Sequence, residues 1–193
     1  MPTLQESKLA FIGGGNMASA IIGGLLGRGM NKTNITVSEP WDVNRNKIAS
    51  LGVQTTTSNV DAGQGADIVI LAVKPQVTKA VCEELSASWS SRNSLPIVVS
   101  IAAGITLGSM RDWLKTSDGR SVHIVRVMPN TPALVSEGAS GLFASEDVTD
   151  GEKELVSALL GSVSKATEWV DKEELLDVVT GLSGKFGQHF ELV

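Results

Sequence analysis

The chain has 193 residues, 16 Lys and Arg against 21 Asp and Glu for a formal charge of −5, and a hydrophobic share of 42%. That composition describes a globular chain and excludes a disordered, fibrous or coiled-coil one. The length suits one complete domain and the start of a second, at roughly 100–200 residues per domain.

Phosphate affinity depends on clustered Lys and Arg, and no such run occurs, so nucleic acid is not an expected partner. One cysteine, Cys82, rules out an internal disulfide and fits a reducing, cytoplasmic setting. Met1 to Lys8 carries Glu6 and lacks a basic segment followed by an apolar one, and no run reaches the roughly 18 apolar residues of a membrane span. Neither export by a standard signal nor membrane insertion is expected.

Leu9-Ala10-Phe11-Ile12 is a short apolar run that meets Gly13-Gly14-Gly15 at once, the pattern of a buried parallel strand entering a tight turn. From Asn16 the apolar spacing turns helical, although Gly23, Gly24 and Gly27 weaken the helix and call for close packing to offset them. A strand over 34–38 leads to Glu39-Pro40; a helix over 42–51, a short strand over 53–55 and an amphipathic segment over 60–65 follow. Ile68 to Val73 is the most apolar strand, stopped by Lys74-Pro75, since proline cannot donate to a ladder. A helix over 77–85, a strand over 96–101 ended by Ala102-Ala103-Gly104, a helix over 105–114 and a strand over 121–128 closed by Pro129 come next. The remainder gives a strand over 140–144, a helix over 150–160, a strand over 166–170 and the start of a helix from Asp171. Apolar strands alternating with helices predict an α/β fold with a doubly wound parallel sheet.

Gly13-Gly14-Gly15-Asn16-Met17-Ala18 reads G-x-G-x-x-A between a strand and a helix, a Rossmann-like dinucleotide fingerprint. Gly13 permits the turn, Gly15 lets a pyrophosphate approach the backbone, and Ala18 allows close packing of the helix. Free N–H groups and the positive helix end then meet the phosphates. At the end of the second strand, Glu39 suits a ribose hydroxyl and Arg45 a 2′-phosphate, so NADPH and NADH both remain open. Glu39-Pro40 also reads as a helix-entry turn, with Arg45 a solvated residue.

Ala72-Val73-Lys74-Pro75, Ser100 to Gly104 and Met128-Pro129-Asn130-Thr131-Pro132 all follow apolar strands, and ligands of doubly wound sheets bind at that edge. Lys74 is either a catalytic lysine or a solvated charge, and Asn130 and Thr131 either present polar groups or cap the chain after Pro129. His123 and His189 lack Cys or carboxylate partners at ligand spacing, so no metal site is expected and His123 is read as a strand residue. No G-x-S-x-G elbow occurs, and the glycine turn lacks the Lys-Ser/Thr of a P-loop. With no tyrosine, dehydrogenases that use a Tyr-x-x-x-Lys pair are excluded.

Phe11 to Ala18, Ala72 to Gln76, Val98 to Ile105, Arg126 to Pro132 and Asp177 to Gly184 together resemble pyrroline-5-carboxylate reductase, in order and at that family's spacing. The resemblance implies reduction of the cyclic imine of 1-pyrroline-5-carboxylate to L-proline by NADPH or NADH, in proline biosynthesis. By position, it places Ile12, Gly13, Gly14, Gly15, Asn16 and Met17 at the pyrophosphate, and Ser38, Glu39 and Asn59 at the adenosine end. Val73, Lys74, Pro75, Ala103, Gly104, Asn130 and Thr131 fall on the nicotinamide side, and Glu173 near the substrate, although Glu173 also reads as a helix-start acid. It assigns no catalytic acid. Family members are homo-oligomers through a C-terminal helical domain, which continues S-G-P-A-Y where this chain has Lys185 to Val193.

The expected division is therefore a dinucleotide-binding domain over 1–170 and a shortened start of the helical dimerisation and substrate domain over 171–193. The rival expectation is a nucleotide-binding domain with little or no turnover. A related β-hydroxyacid dehydrogenase is a third, weaker reading, because the 128–132 and 180–184 motifs match the imine reductases better.

Overall fold

The computed structural model describes residues 3–130, 132 and 138–176. Strands β1 (Leu9–Ile12), β2 (Ile35–Ser38), β3 (Gln54–Thr56), β4 (Ile68–Leu71), β5 (Ile97–Ser100), β6 (Ile124–Pro129), β7 (Gly138–Ala144) and β8 (Ser164–Trp169) form one sheet. Helices α1 (Asn16–Gly27), α2 (Asp42–Ala49), α3 (Asn59–Gly63), α4 (Pro75–Trp89), α5 (Leu107–Trp113) and α6 (Asp150–Leu160) connect them. The strand order is β3-β2-β1-β4-β5-β6-β7-β8, so the winding reverses between β1 and β4.

Both faces of the sheet are covered, as apolar strands without alternation require. Leu9 and Phe11 of β1 and Ile68 and Ile70 of β4 join Ile21, Ile22 and Leu25 of α1 and Val156, Leu159 and Leu160 of α6 in one core. Their neighbours Ala10, Ile12, Val69 and Leu71 point the other way and pack with Val81, Cys82, Leu85 and Trp89 of α4 and Met110 of α5. The glycines of α1 matter at Gly24, where a Cβ would lie 2.3 Å from the Ser162 carbonyl oxygen, so only glycine allows α1 to approach the chain after α6.

The expected doubly wound, Rossmann-like sheet is present and mostly parallel, with one departure in strand direction. β7 runs antiparallel to β6, pairing Val127 with Leu142 and Met128 with Gly141, and β8 then lies parallel to β7. The physical reason is the connection, because only about eight residues separate β6 from β7, too few for the dozen or more of a parallel crossover. The 150–160 helix matches its predicted range, whereas α4 runs on past 85 to Trp89 and β6 begins at Ile124, three residues later than expected. The expected helix from Asp171 is described only to Leu176, and the motif at 177–184 lies outside the described residues.

Candidate functional site

β1, β4, β5 and β6 run parallel, so the turns that leave them share one edge of the sheet, beside the reversal in strand order. The glycine turn starts there. Gly13 has φ of +101°, and a Cβ on it would lie 2.5 Å from the Ala72 carbonyl oxygen; its N–H donates to the Ser38 carbonyl at 2.8 Å. Ile12 is buried just before it, and Met17 packs against the core just after. Gly15 is the N-cap of α1 and supplies no side-chain cap, and a Cβ there would meet nothing within 4 Å. An open cradle beside uncapped N–H groups, with Asn16 exposed at the first helical position, suits a pyrophosphate.

At the end of β2 the side chains interlock. Ser38 Oγ donates to Asn59 Oδ1 at 2.7 Å, and Asn59 Nδ2 donates to Glu84 Oε2 at 2.7 Å, which links β2, α3 and α4. Glu39, 7% exposed, accepts the Gly14 N–H on Oε2 at 2.8 Å and the Trp41 N–H on Oε1 at 2.9 Å. Arg45 Nη1 donates to the carbonyls of Glu39 and Pro40 at 2.9 and 3.1 Å, and Nη2 meets Asp42. The helix-entry turn and the acid facing the glycine loop are thus the same residue, and Arg45 holds that turn instead of standing in solvent.

The other turns surround the same edge. Val73 approaches Gly13, its Cγ1 lying 3.3 Å from where a Gly13 Cβ would be. Lys74 is exposed and N-caps α4, where its carbonyl accepts Thr78 Oγ1 at 3.2 Å, and Pro75 fills the first helical position. Ala103 and Gly104 lie exposed in the turn before α5, with Gly104 at φ +73°. The Asn130 N–H donates to the Ala139 carbonyl at 3.1 Å and its Oδ1 accepts the Ala139 N–H at 2.9 Å, so it does cap the chain after Pro129. Thr131 lies outside the described residues.

Glu173 reaches this edge from beyond β8. Its Oε1 accepts the Leu107 N–H at the start of α5 at 2.6 Å and Arg126 Nη1 at 2.6 Å. The reading of Glu173 as a helix-start acid fits, except that the helix it caps is α5. Sequence reasoning passed over Arg126, which is 4% exposed; its signal was a lone charge inside the apolar strand Ile124-Val125-Arg126-Val127-Met128.

His123 corrects one expectation. It sits one residue before β6, and its Nδ1 lies 2.8 and 2.9 Å from the two oxygens of Glu152, which also closes a capping box with Thr149 on α6. The partner is distant in sequence, so ligand-spacing reasoning missed it. Among the described residues no group of three or more His, Cys, Asp or Glu side chains gathers at metal-binding distance, and no helix is long and apolar enough to cross a membrane.

Comparison with known proteins agrees with this fold. A family described as "NADP oxidoreductase coenzyme F420-dependent" matches residues 8–104. The chain is 42% identical over 191 residues to pyrroline-5-carboxylate reductase of Pseudomonas aeruginosa, covering 98% of this chain and 67% of that protein. It is 43% identical over 193 residues to the enzyme of that name from Pasteurella multocida, again with 98% and 67% covered. A solved pyrroline-5-carboxylate reductase from Coxiella burnetii superposes with a TM-score of 0.87 at 38% identity, covering 95% of this chain and 66% of that one. The Plasmodium falciparum pyrroline carboxylate reductase, solved with NADP bound, gives a TM-score of 0.78 at 27% identity, covering 96% and 65%. The chain thus spans about two thirds of the length of these relatives. At this degree of identity over nearly its whole length, the chain belongs to the pyrroline-5-carboxylate reductase family.

Proposed function

We propose that the chain reduces 1-pyrroline-5-carboxylate to L-proline with hydride from NADPH or NADH. The observation that carries the reading is the glycine turn at the reversal of strand order, open at Gly15, with the turns after β4 and β5 and Asn130 at the end of β6 on the same edge. The dinucleotide supplies the hydride when bound. Ile12 to Met17 would hold its pyrophosphate, and Ser38, Glu39 and Asn59 the adenosine end. Val73, Lys74, Pro75, Ala103, Gly104, Asn130 and Thr131 would border the nicotinamide. A protonated imine is already electrophilic, so the work of these residues is to align it and exclude water. Glu173 acts near the substrate by fixing the start of α5, next to the turn that carries Ala103 and Gly104.

Residues 1–170 make the dinucleotide-binding domain in this reading, and residues 171–193 belong to the helical domain through which family members form homo-oligomers. The acidic balance supports a small-molecule substrate over nucleic acid, and the single cysteine fits the cytoplasm. The test is to supply 1-pyrroline-5-carboxylate with NADPH or NADH and follow both dinucleotide oxidation and proline formation. Proline formed in step with oxidation supports the reading. Tight dinucleotide binding without proline identifies a nucleotide-binding module instead.

A further inference from the structure

We infer that Glu39 makes NADH, in preference to NADPH, the dinucleotide of this chain. The inference rests on the dinucleotide site proposed above and concerns only its adenosine end. Glu39 is held in one orientation by two backbone donors, the N–H of Gly14 inside the glycine loop at 2.8 Å and the N–H of Trp41 at 2.9 Å. Contact with the loop is direct, since a Cβ on Gly14 would lie 3.2 Å from the Glu39 Cβ. A carboxylate oxygen accepts more than one hydrogen bond, so both oxygens keep capacity for a ribose hydroxyl, which can donate. A 2′-phosphate cannot donate in the same way, and it brings a charge of about −1.5 to −2 at pH 7 against the fixed Glu39 carboxylate.

Arg45 and Asn59, the donors beside Glu39 that would compensate a phosphate, are committed elsewhere. Arg45 uses Nη1 on the carbonyls of Glu39 and Pro40, and its charge is matched by Asp42 at Nη2. Asn59 turns its amide donor to Glu84 and its oxygen to Ser38. Lys47, the other cation of α2, lines a groove with Asn16, Ser19, Ala20, Ser50 and Leu51, beside α1 and away from the Glu39 side-chain bonds. The one guanidinium at this corner is thus already matched by the Asp42 carboxylate, and a further phosphate is opposed by the charge of Glu39.

The experiment is equilibrium titration of the full chain with NADH and with NADPH, read by tryptophan emission and by calorimetry so that turnover is not required. NADH should bind at least about tenfold tighter than NADPH, and the gap should narrow as salt rises. Glu39→Ser should cut the ratio to about one or reverse it, and Glu39→Gln, which removes the charge at nearly constant shape, should move it the same way. Two results overturn the inference: NADPH binding as tightly as NADH to the unaltered chain, or both variants weakening the two dinucleotides equally, which marks Glu39 as a support for the loop only. Failure of both dinucleotides to bind overturns the dinucleotide site itself, and the inference with it.

Discussion

Arg126, near the middle of β6, donates to Glu173 across a separation of 47 residues, and the same carboxylate oxygen caps the first N–H of α5. Arg126 is almost fully buried and Glu173 about one quarter exposed. Removing one member of such a pair strands a charge that water reaches poorly. Glu173→Ala should therefore lower unfolding free energy by about 2–3 kcal/mol in urea titration, less than for a fully buried pair because Glu173 is partly wet. The double change Arg126→Met with Glu173→Leu should recover most of that loss, and failure to recover any of it would contradict the account.

The two outer glycines of the turn should respond differently to alanine. Gly13→Ala forces a side chain into positive φ and against the Ala72 carbonyl, which should destabilise the fold by about 2–4 kcal/mol. Gly15→Ala meets open space, so thermal unfolding should stay nearly unchanged while NADH binding weakens by about tenfold or more, because the methyl occupies the cradle. An equal stability loss in both variants would sink the distinction.

Trp89 is 1% exposed, and its indole Nε1–H has no hydrogen-bond partner among the described residues. A buried unpaired donor costs about 1–3 kcal/mol, which offsets part of the burial gained by the larger ring. Trp89→Phe should consequently lie within about 1 kcal/mol of the unaltered protein in denaturant titration, well short of the roughly 3–5 kcal/mol typical of deleting a large core aromatic.

Burial pushes the Cys82 thiol up from 9.0 to about 12, with Glu83 adding a smaller push in the same direction. The folded chain should leave Cys82 unmodified by a thiol reagent at pH 8, and full labelling should accompany unfolding. The unfolded thiol loses its proton near pH 9 while the folded one keeps it. Stability from this group is thus complete below about pH 9 and falls between pH 9 and 12, by at most about 1.4 kcal/mol per pH unit. Cys82→Ser should flatten that alkaline decline.

Local pattern exposed most of the frame. Apolar runs ending in Gly or Pro located the strands, and G-x-G-x-x-A located the turn that Gly13 requires. What stayed hidden depended on groups far apart in the chain. The reversal of β7 follows from a short connection, which periodicity does not register. The partners of His123 and Glu173 lie 29 and 47 residues away, and the commitment of Arg45 to its own turn is a matter of side-chain geometry. At the candidate site, the residue types were legible but their hydrogen-bond assignments were not.

The lacing of strand ends along the site edge also has a kinetic meaning. Gly13 N–H bonds to Ser38, Ala72 N–H to Ile12 and Ile101 N–H to Leu71, at 2.8, 2.8 and 3.1 Å. The turns are thereby set by folding, so an arriving ligand has little backbone to order and loses less entropy on capture. Association should then be limited by encounter and by the charge of the corner around Glu39, with no slow rearrangement of the glycine turn.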